Sequence, residues 1–254
     1  FYRETLEGGN IIFRGKATVK TGSIASVRIS TNNRESWEKA KLSRDGTFEY
    51  MFRPELNKTY ILLVEIMDTR GKTNDIEATR KEITVSERNM LAIVREVLEN
   101  MADAYKKEDA GRFMNYVAED FAGDSINLDR AMRKDFSIFD NIDLRFTINN
   151  IASGSKGIVA SINFNRSLVS SRTGRLLSDK GITEFVFKHG DAGLKVYSMK
   201  NPLIFGLSDA ANVATGVVQS STNEQTIVVD EKGNVDKKPF DQAMKMITSD
   251  TTVS

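Results

Sequence analysis

The chain has 254 residues, of which 40 % are hydrophobic and 28 % charged, and its 36 Lys and Arg residues balance 35 Asp and Glu residues to a net charge of +1. This length and composition predict one or two folded domains and exclude a wholly disordered chain, while the balanced charge favours no nucleic-acid partner. The lack of cysteine and the single histidine, His189, exclude thiolate metal sites, multi-histidine metal sites and cysteine nucleophiles. We therefore expect no metal and no other cofactor.

Alternating apolar residues predict short β-strands throughout residues 1–86. The clearest pattern is that of Phe48, Tyr50 and Phe52, which stand at every second position, and the run from Tyr60 to Ile66 repeats it. Turn sequences such as Asp45-Gly46 separate these runs, and strands at such spacing are typical of two packed β-sheets. No stretch of this region has the helical period, so we predict an all-β domain.

The order of residues in this region resembles that of bacterial immunoglobulin-like and fibronectin-like modules. The resemblance covers roughly residues 9–86 and is carried by Ser30-Thr31, Trp37, Ala40, Leu42, Asp45-Gly46, Phe48, Tyr50, Phe52, Pro54, Tyr60, Leu62, Val64, Asp68 and Gly71. It implies an immunoglobulin-like β-sandwich over residues 1–86. Because such modules serve mainly as spacers and interaction surfaces, the resemblance implies a docking role rather than an activity.

The apolar period changes to that of a helix at Ser86, a residue type that favours a helix start. Apolar residues at helical spacing predict a first helix that ends near Lys107, and the same pattern predicts further helices over 110–118 and 125–139. Alternating apolar residues then predict four antiparallel strands up to Met199. Helices followed by an antiparallel meander indicate an α+β domain.

This order of elements resembles the nuclear transport factor two-like superfamily, which includes SnoaL-like cyclases and ketosteroid isomerases. The resemblance is carried by Ala104-Tyr105-Lys106-Lys107-Glu108-Asp109, Phe113-Met114-Asn115-Tyr116-Val117, Glu119-Asp120-Phe121 and Lys195-Val196-Tyr197-Ser198-Met199. It implies an α+β cone over residues 87–206, in which three helices pack on a curved antiparallel sheet. In this superfamily the space between the helices and the sheet can form a pocket.

Seven residues are candidates to line such a pocket: Tyr105, Phe113, Phe121, Phe136, Arg166, Glu184 and Tyr197. We place Arg166 near Glu184 across the hairpin that turns at Thr173-Gly174. The alternative is a filled core, because aromatic residues at helix and strand periods are normally packing. The charged pair would then be a rim ion pair that contributes about 0–1 kcal/mol.

No catalytic residue is assigned, because a ketosteroid isomerase needs an acidic general base and a Tyr–acid pair in an apolar pocket. Tyr105, Tyr197 and Glu184 could supply parts of that set, but no motif fixes their roles. We predict a non-catalytic binding or interaction protein outside the cytoplasm, either periplasmic or at the cell surface. Its β domain would be a spacer or docking surface and its cone a ligand- or protein-binding unit. The alternative is a small-molecule isomerase or cyclase that uses the cone pocket.

The segment 207–254 is rich in polar residues, which predicts a C-terminal tail. Its two apolar pieces predict a strand over 226–229, paired in a hairpin or along a sheet edge, and a short helix over 240–247. The expected partner is an unknown protein or a small apolar ligand, and a homodimer is a further option. No apolar run approaches the ~18 residues of a membrane span, so we expect no membrane insertion by this chain.

Overall fold

The computed structural model describes residues 1–154, 157–215, 225–239 and 242–245. The chain divides into two compact units, Phe1–Met90 and Leu91–Ser254. Each unit has its own β-sheet system and its own buried apolar residues.

The first unit is built from β-strands and two short 3-10 helices, Arg3–Thr5 and Glu77–Thr79. The strands are β1 (Ile11–Lys16), β2 (Ile24–Ser30), β3 (Glu38–Lys39), β4 (Lys41–Leu42), β5 (Thr47–Phe52), β6 (Thr59–Asp68) and β7 (Lys81–Thr84). They form a three-stranded sheet in the order β1-β5-β4 and a four-stranded sheet in the order β3-β2-β6-β7. All of these pairs are antiparallel.

One apolar cluster joins the two sheets of the first unit. Ile11, Phe48 and Tyr50 come from the three-stranded sheet, whereas Val27 and Leu62 come from the four-stranded one. Buried and exposed side chains alternate along β5, which is the period of two that the sequence predicts there. The region is therefore all-β, and its assignment to the immunoglobulin-like or fibronectin-like modules stays a prediction.

Three helices precede the sheet of the second unit: α1 (Met90–Lys106), α2 (Ala110–Met114) and α3 (Ser125–Ile138). The first begins at Met90 rather than at Ser86. The second is shorter than predicted, because Tyr116 O and Ala118 N form backbone hydrogen bonds with Val196 and the chain leaves the helix to make them.

A single antiparallel sheet follows. In the described residues it comprises β8 (Phe139–Gly154), β9 (Gly157–Ser170), β10 (Leu176–Gly190), β11 (Gly193–Met199), β12 (Gln225–Asp230) and β13 (Val235–Pro239), in the order β11-β10-β9-β8-β12-β13. A 3-10 turn, Leu207–Asp209, and α4 (Ala210–Val213) lie between β11 and β12 in the chain. The second unit thus has the order of helices and strands that the resemblance to nuclear transport factor two-like proteins implies.

The two faces of this sheet have different neighbours. Phe185 and Phe187 of β10 lie on the face toward the helices, which we call the inner face, and the ring of Phe185 lies 6.1 Å from that of Phe205. Since side chains alternate along a strand, Glu184 and Val186 lie on the opposite, outer face.

The described residues after 206 are part of the second unit rather than a separate polar tail. β12 pairs with β13 in a hairpin and with residues 150–153 of β8, so both predicted pairings of 226–229 occur at once. Residues 242–245 are helical, and Ala243 is buried with Val228 in an apolar cluster on the outer face. The remaining positions of the predicted helix, 240–241 and 246–247, lie outside the described residues.

Candidate functional site

The inside of the cone is filled by aromatic side chains of the chain itself. The ring centroid of Phe205 lies 5.2 Å from that of Tyr105, 4.9 Å from that of Phe113 and 6.1 Å from that of Phe185, all in edge-to-face arrangements. All four side chains are less than 2 % exposed. Phe205 belongs to the segment Leu203–Phe205, which follows β11 and which we call the plug. It occupies the space between helices and sheet where a pocket was the expectation.

The side chain of Arg166 on β9 binds the backbone of the plug. This side chain is 5 % exposed, and Nη1 donates hydrogen bonds to the carbonyl oxygens of Leu203 and Ile204, both at 2.9 Å. Nε donates to Asp179 Oδ1 at 2.9 Å, and Nη2 pairs with the other oxygen of the same carboxylate. A buried cation is tolerated only when its donors are satisfied in this way. The guanidinium of Arg166 therefore has a structural role, since its donors bind Asp179 and the plug.

Asp135 on α3 anchors the residues that follow the plug. It is fully buried, and its carboxylate accepts four hydrogen bonds. Oδ2 accepts from the Tyr105 hydroxyl at 3.0 Å and from the Leu207 N–H at 2.9 Å. Oδ1 accepts from both the backbone N–H and the hydroxyl of Ser208. These donors replace the water that an ionised carboxylate loses on burial.

Gly206 makes the turn between the plug and the residues that Asp135 holds. Its φ of 70° lies in the left-handed region that glycine tolerates best. A Cβ at this position would also lie 3.1 Å from Leu128 Cδ1 and 3.3 Å from Val213 Cγ1, which is closer than ordinary contact. Both the conformation and the space therefore favour glycine here.

The pair of Tyr105 and Asp135 is the type of group that could stabilise an oxyanion in an isomerase. Burial and the neighbouring carboxylate raise the pKa of the Tyr105 hydroxyl above its ordinary range, so this group is a hydrogen-bond donor at neutral pH. However, the Tyr105 hydroxyl already donates a hydrogen bond to Asp135, and the adjacent space holds Phe205. In this structure the pair stabilises the plug.

The predicted contact between Arg166 and Glu184 is wrong. The register of β9 and β10 sets Arg166 opposite Asp179, and Glu184 opposite Ser161. Glu184 lies an odd number of residues from Asp179, so strand alternation puts it on the outer face. There it is 3 % exposed and accepts hydrogen bonds from Lys200 Nζ at 3.2 and 3.3 Å.

The other candidates also divide between the faces. Phe113 and Phe136 lie in the aromatic cluster, where the Phe136 ring is 5.5 Å from that of Tyr105. Phe121 is buried in the turn that leads to α3. Tyr197 packs against the outer cluster, and Lys188 Nζ lies 3.2 Å above its ring. The structure thus brings Tyr105, Phe113, Phe136 and Arg166 together and separates them from Glu184 and Tyr197.

Sequence reasoning missed Asp135 and the plug. Asp135 falls among the apolar positions of α3, beside Met132 and Phe136, and a lone carboxylate on an apolar helix face is a signal that could have been used. The three apolar residues Leu203–Phe205 lie shortly after the last predicted strand, which ends at Met199, but three residues are too few to show a period.

Two open grooves lie on the second unit. The first, of about 500 Å³, runs between α1 and the edge of β8 and is lined by Glu99, Ala102 and Lys106, by residues 144–148, and by Glu231 and Lys232. The second, of about 720 Å³, crosses β8, β9 and β10 and is lined by Arg145, Thr147, Asn163, Asn165, Lys180 and Ile182, among others. Among the described residues no three His, Asp or Glu side chains come together as metal ligands, and no helix is long and apolar enough to cross a membrane.

Comparison with models of protein families finds no match, and neither does comparison with curated proteins. Solved structures do match. A conserved protein from Planctomyces limnophilus has 13 % identity and a TM-score of 0.40, over 43 % of this chain and 92 % of that one. A ketosteroid isomerase-like protein from Erwinia carotovora atroseptica has 12 % identity and a TM-score of 0.37, again over 43 % and 92 %. The helical cell shape determining protein Pgp2 from Campylobacter jejuni has 8 % identity and a TM-score of 0.34, over 70 % and 93 %.

Proposed function

We propose that this chain is a non-catalytic binding protein, and that its second unit meets partners on its exterior rather than inside the cone. In this proposal the β unit is a spacer or docking surface. The protein works outside the cytoplasm, the setting expected of the bacterial modules that residues 9–86 resemble.

The filled cone is the observation that carries this proposal. Ligand pockets are concave and open to their ligand, with a few polar groups that converge on it. Here the polar groups of the interior, Arg166 and Asp135, point at the chain's own backbone near Leu203 and Ser208. A substrate could enter only after the plug had left the cone. Its departure would leave the buried cation of Arg166 and the buried carboxylate of Asp135 without their hydrogen-bond partners.

The competing function, a small-molecule isomerase or cyclase, is tested by opening the cone. Phe205→Ala removes the ring that fills the centre, and Leu177→Ala, at an exposed position of β10, is the matched control. We expect the unsubstituted protein neither to bind a naphthalene-based fluorescent probe nor to isomerise a β,γ-unsaturated 3-ketosteroid. We expect only Phe205→Ala to bind the probe, because an apolar cavity of sufficient size takes apolar guests.

Turnover of the ketosteroid by the unsubstituted protein, lost in Asp135→Asn and retained in Leu177→Ala, would overturn the proposal. Probe binding by the unsubstituted protein that Phe205→Ala does not increase would also overturn it, because the cone would then already be open.

A further inference from the structure

One edge of β8 is only partly paired. β9 pairs with β8 along nearly its whole length, from Phe139 to Gly154, whereas β12 pairs on the other side with residues 150–153 alone. Among the described residues no strand lies beside this edge at 144–149. Within 144–148 every second residue directs its N–H and C=O away from β9, and such groups are a template for another strand. At Asn149 the pairing of β8 with β9 shifts register.

The groove of about 500 Å³ lies along this same stretch. α1 forms its wall with Arg95, Glu99 and Ala102. At one end Lys106 Nζ approaches Asp143 Oδ1 at 3.8 Å, and at the other end the turn after β12 contributes Glu231 and Lys232. The six positions from 144 to 149 span roughly 20 Å at the rise of an extended strand, which is an ordinary strand length.

We propose that this groove binds an extended segment of a partner protein, which pairs with residues 144–149 of β8 as an added antiparallel strand. The inference rests on the proposed binding function and names the chemistry of the partner. β12 already occupies the same edge in the antiparallel direction at residues 150–153, so the added strand continues an interface that the fold itself uses. Backbone hydrogen bonds supply the affinity in this recognition mode, and alternate side chains supply the specificity.

The lining of the groove selects an alternating sequence. On the inner side an added strand would meet Leu144, Phe146 and Ile148 of β8 and Ala102 of α1, which are apolar. On the outer side it would meet Thr147 and Arg145, whose side chain is 83 % exposed and whose Nε lies 3.5 Å from Asp143 Oδ2. The segment that fits therefore has apolar residues at every second position and acidic residues between them.

The direct test uses a fluorescent peptide, Val-Glu-Val-Glu-Val-Glu, and a control of equal composition, Val-Val-Val-Glu-Glu-Glu. We expect the alternating peptide to bind the full chain at least tenfold more tightly by fluorescence anisotropy, a difference of ~1.4 kcal/mol. Because an added strand uses only one of its edges, N-methylation of one alternate set of peptide nitrogens should abolish binding and methylation of the other set should not. Bound peptide should slow amide hydrogen exchange within 144–149.

Four variants locate the site. Glu99→Trp fills the groove from an exposed helix position and should abolish binding, whereas Glu99→Gln leaves the groove open and should bind as the unsubstituted protein does. Lys134→Trp places the same bulk on an exposed position of α3, away from the groove, and should have no effect. Arg145→Glu should weaken the acidic peptide about tenfold by placing like charges side by side.

Equal binding of both peptides, indifference to the position of the N-methyl groups, or protection outside 144–149 would overturn the inference while leaving the binding function intact. Protection of 144–149 that grows with protein concentration in the absence of peptide would overturn it as well, because a second copy would then occupy the edge. Failure of the binding function appears separately, as ketosteroid turnover by the unsubstituted protein.

Discussion

Asp135 and Arg166 are two charged residues that are buried without being catalytic. Each directs some of its polar atoms at the segment after β11, and each is satisfied by backbone groups as well as by side chains. Buried charges often mark active sites, but a satisfied hydrogen-bond set with no open space beside it indicates a structural role. Their importance should therefore appear in stability and not in turnover.

Replacement of Asp135 by Asn should destabilise the second unit. Each oxygen of the carboxylate accepts two hydrogen bonds, so the NH₂ group of Asn would meet two donors whichever way the amide is turned. We expect Asp135→Asn to lower the free energy of unfolding by about 1–3 kcal/mol, measured by urea denaturation. Asp129→Asn, on the same helix, where Asp129 forms a half-exposed bridge with Arg133, should change it by about 0.5 kcal/mol or less. Equal effects of the two variants would contradict the anchoring role.

Tyr105 should make the stability of the protein fall at alkaline pH. Burial, with the charge of Asp135, raises the pKa of its hydroxyl above the value of about 10 that it has in an unfolded chain. A raised pKa in the folded state gives a contribution that is complete below pH ~10 and is lost as the pH rises beyond it. Between pH 8 and pH 11 the unfolding free energy of Tyr105→Phe should therefore fall less than that of the unsubstituted protein. An equal fall in both proteins would contradict the assignment.

At the scale of elements, β12 converts a polar C-terminal segment into part of the sheet. Val228 and Val229 are buried on its two faces, whereas Val235 across the hairpin is 47 % exposed. β12 gains its stability from side chains buried on both of its faces, so the hairpin depends on a few apolar side chains.

Val228→Asp and Val235→Asp compare a buried and an exposed position of this hairpin. The first places a carboxylate among Ala152, Val159 and Val186 of the outer cluster, and we expect it to lower the melting temperature and to expose the edge of β8 to aggregation. We expect Val235→Asp to change neither the melting temperature nor the aggregation. Thermal unfolding and light scattering measure the two effects, and similar behaviour of both variants would show that β12 contributes nothing to the sheet.

At the scale of the whole molecule, each unit has enough core to unfold as a unit of its own. Leu62, which is 1 % exposed, lies in the core of the first unit, and Phe205, also 1 % exposed, lies in that of the second. We expect two calorimetric transitions. Leu62→Ala should lower the melting temperature of one transition and Phe205→Ala that of the other. Each shift should correspond to a loss of about 2–5 kcal/mol in the unfolding free energy of that unit. A single transition that both variants lower would show that the units unfold together.

The sequence by itself determined those elements whose apolar residues repeat locally. The period of two in Phe48–Phe52 predicted β5, because strand alternation is a property of neighbouring residues. The aromatic residues that it offered as pocket or core, Tyr105, Phe113 and Phe136, do lie together.

Only the tertiary structure decided what those residues surround. The partner of Arg166 depends on the register of a hairpin, and a shift by an odd number of residues exchanges the two faces of a strand, so Glu184 could not be placed from spacing alone. The plug has no period that could reveal it, because Leu203–Phe205 is placed by contacts with α1, α2 and β10 that are distant in the chain. Whether a cone is open or filled depends on such long-range contacts, and they exist only after the chain has folded.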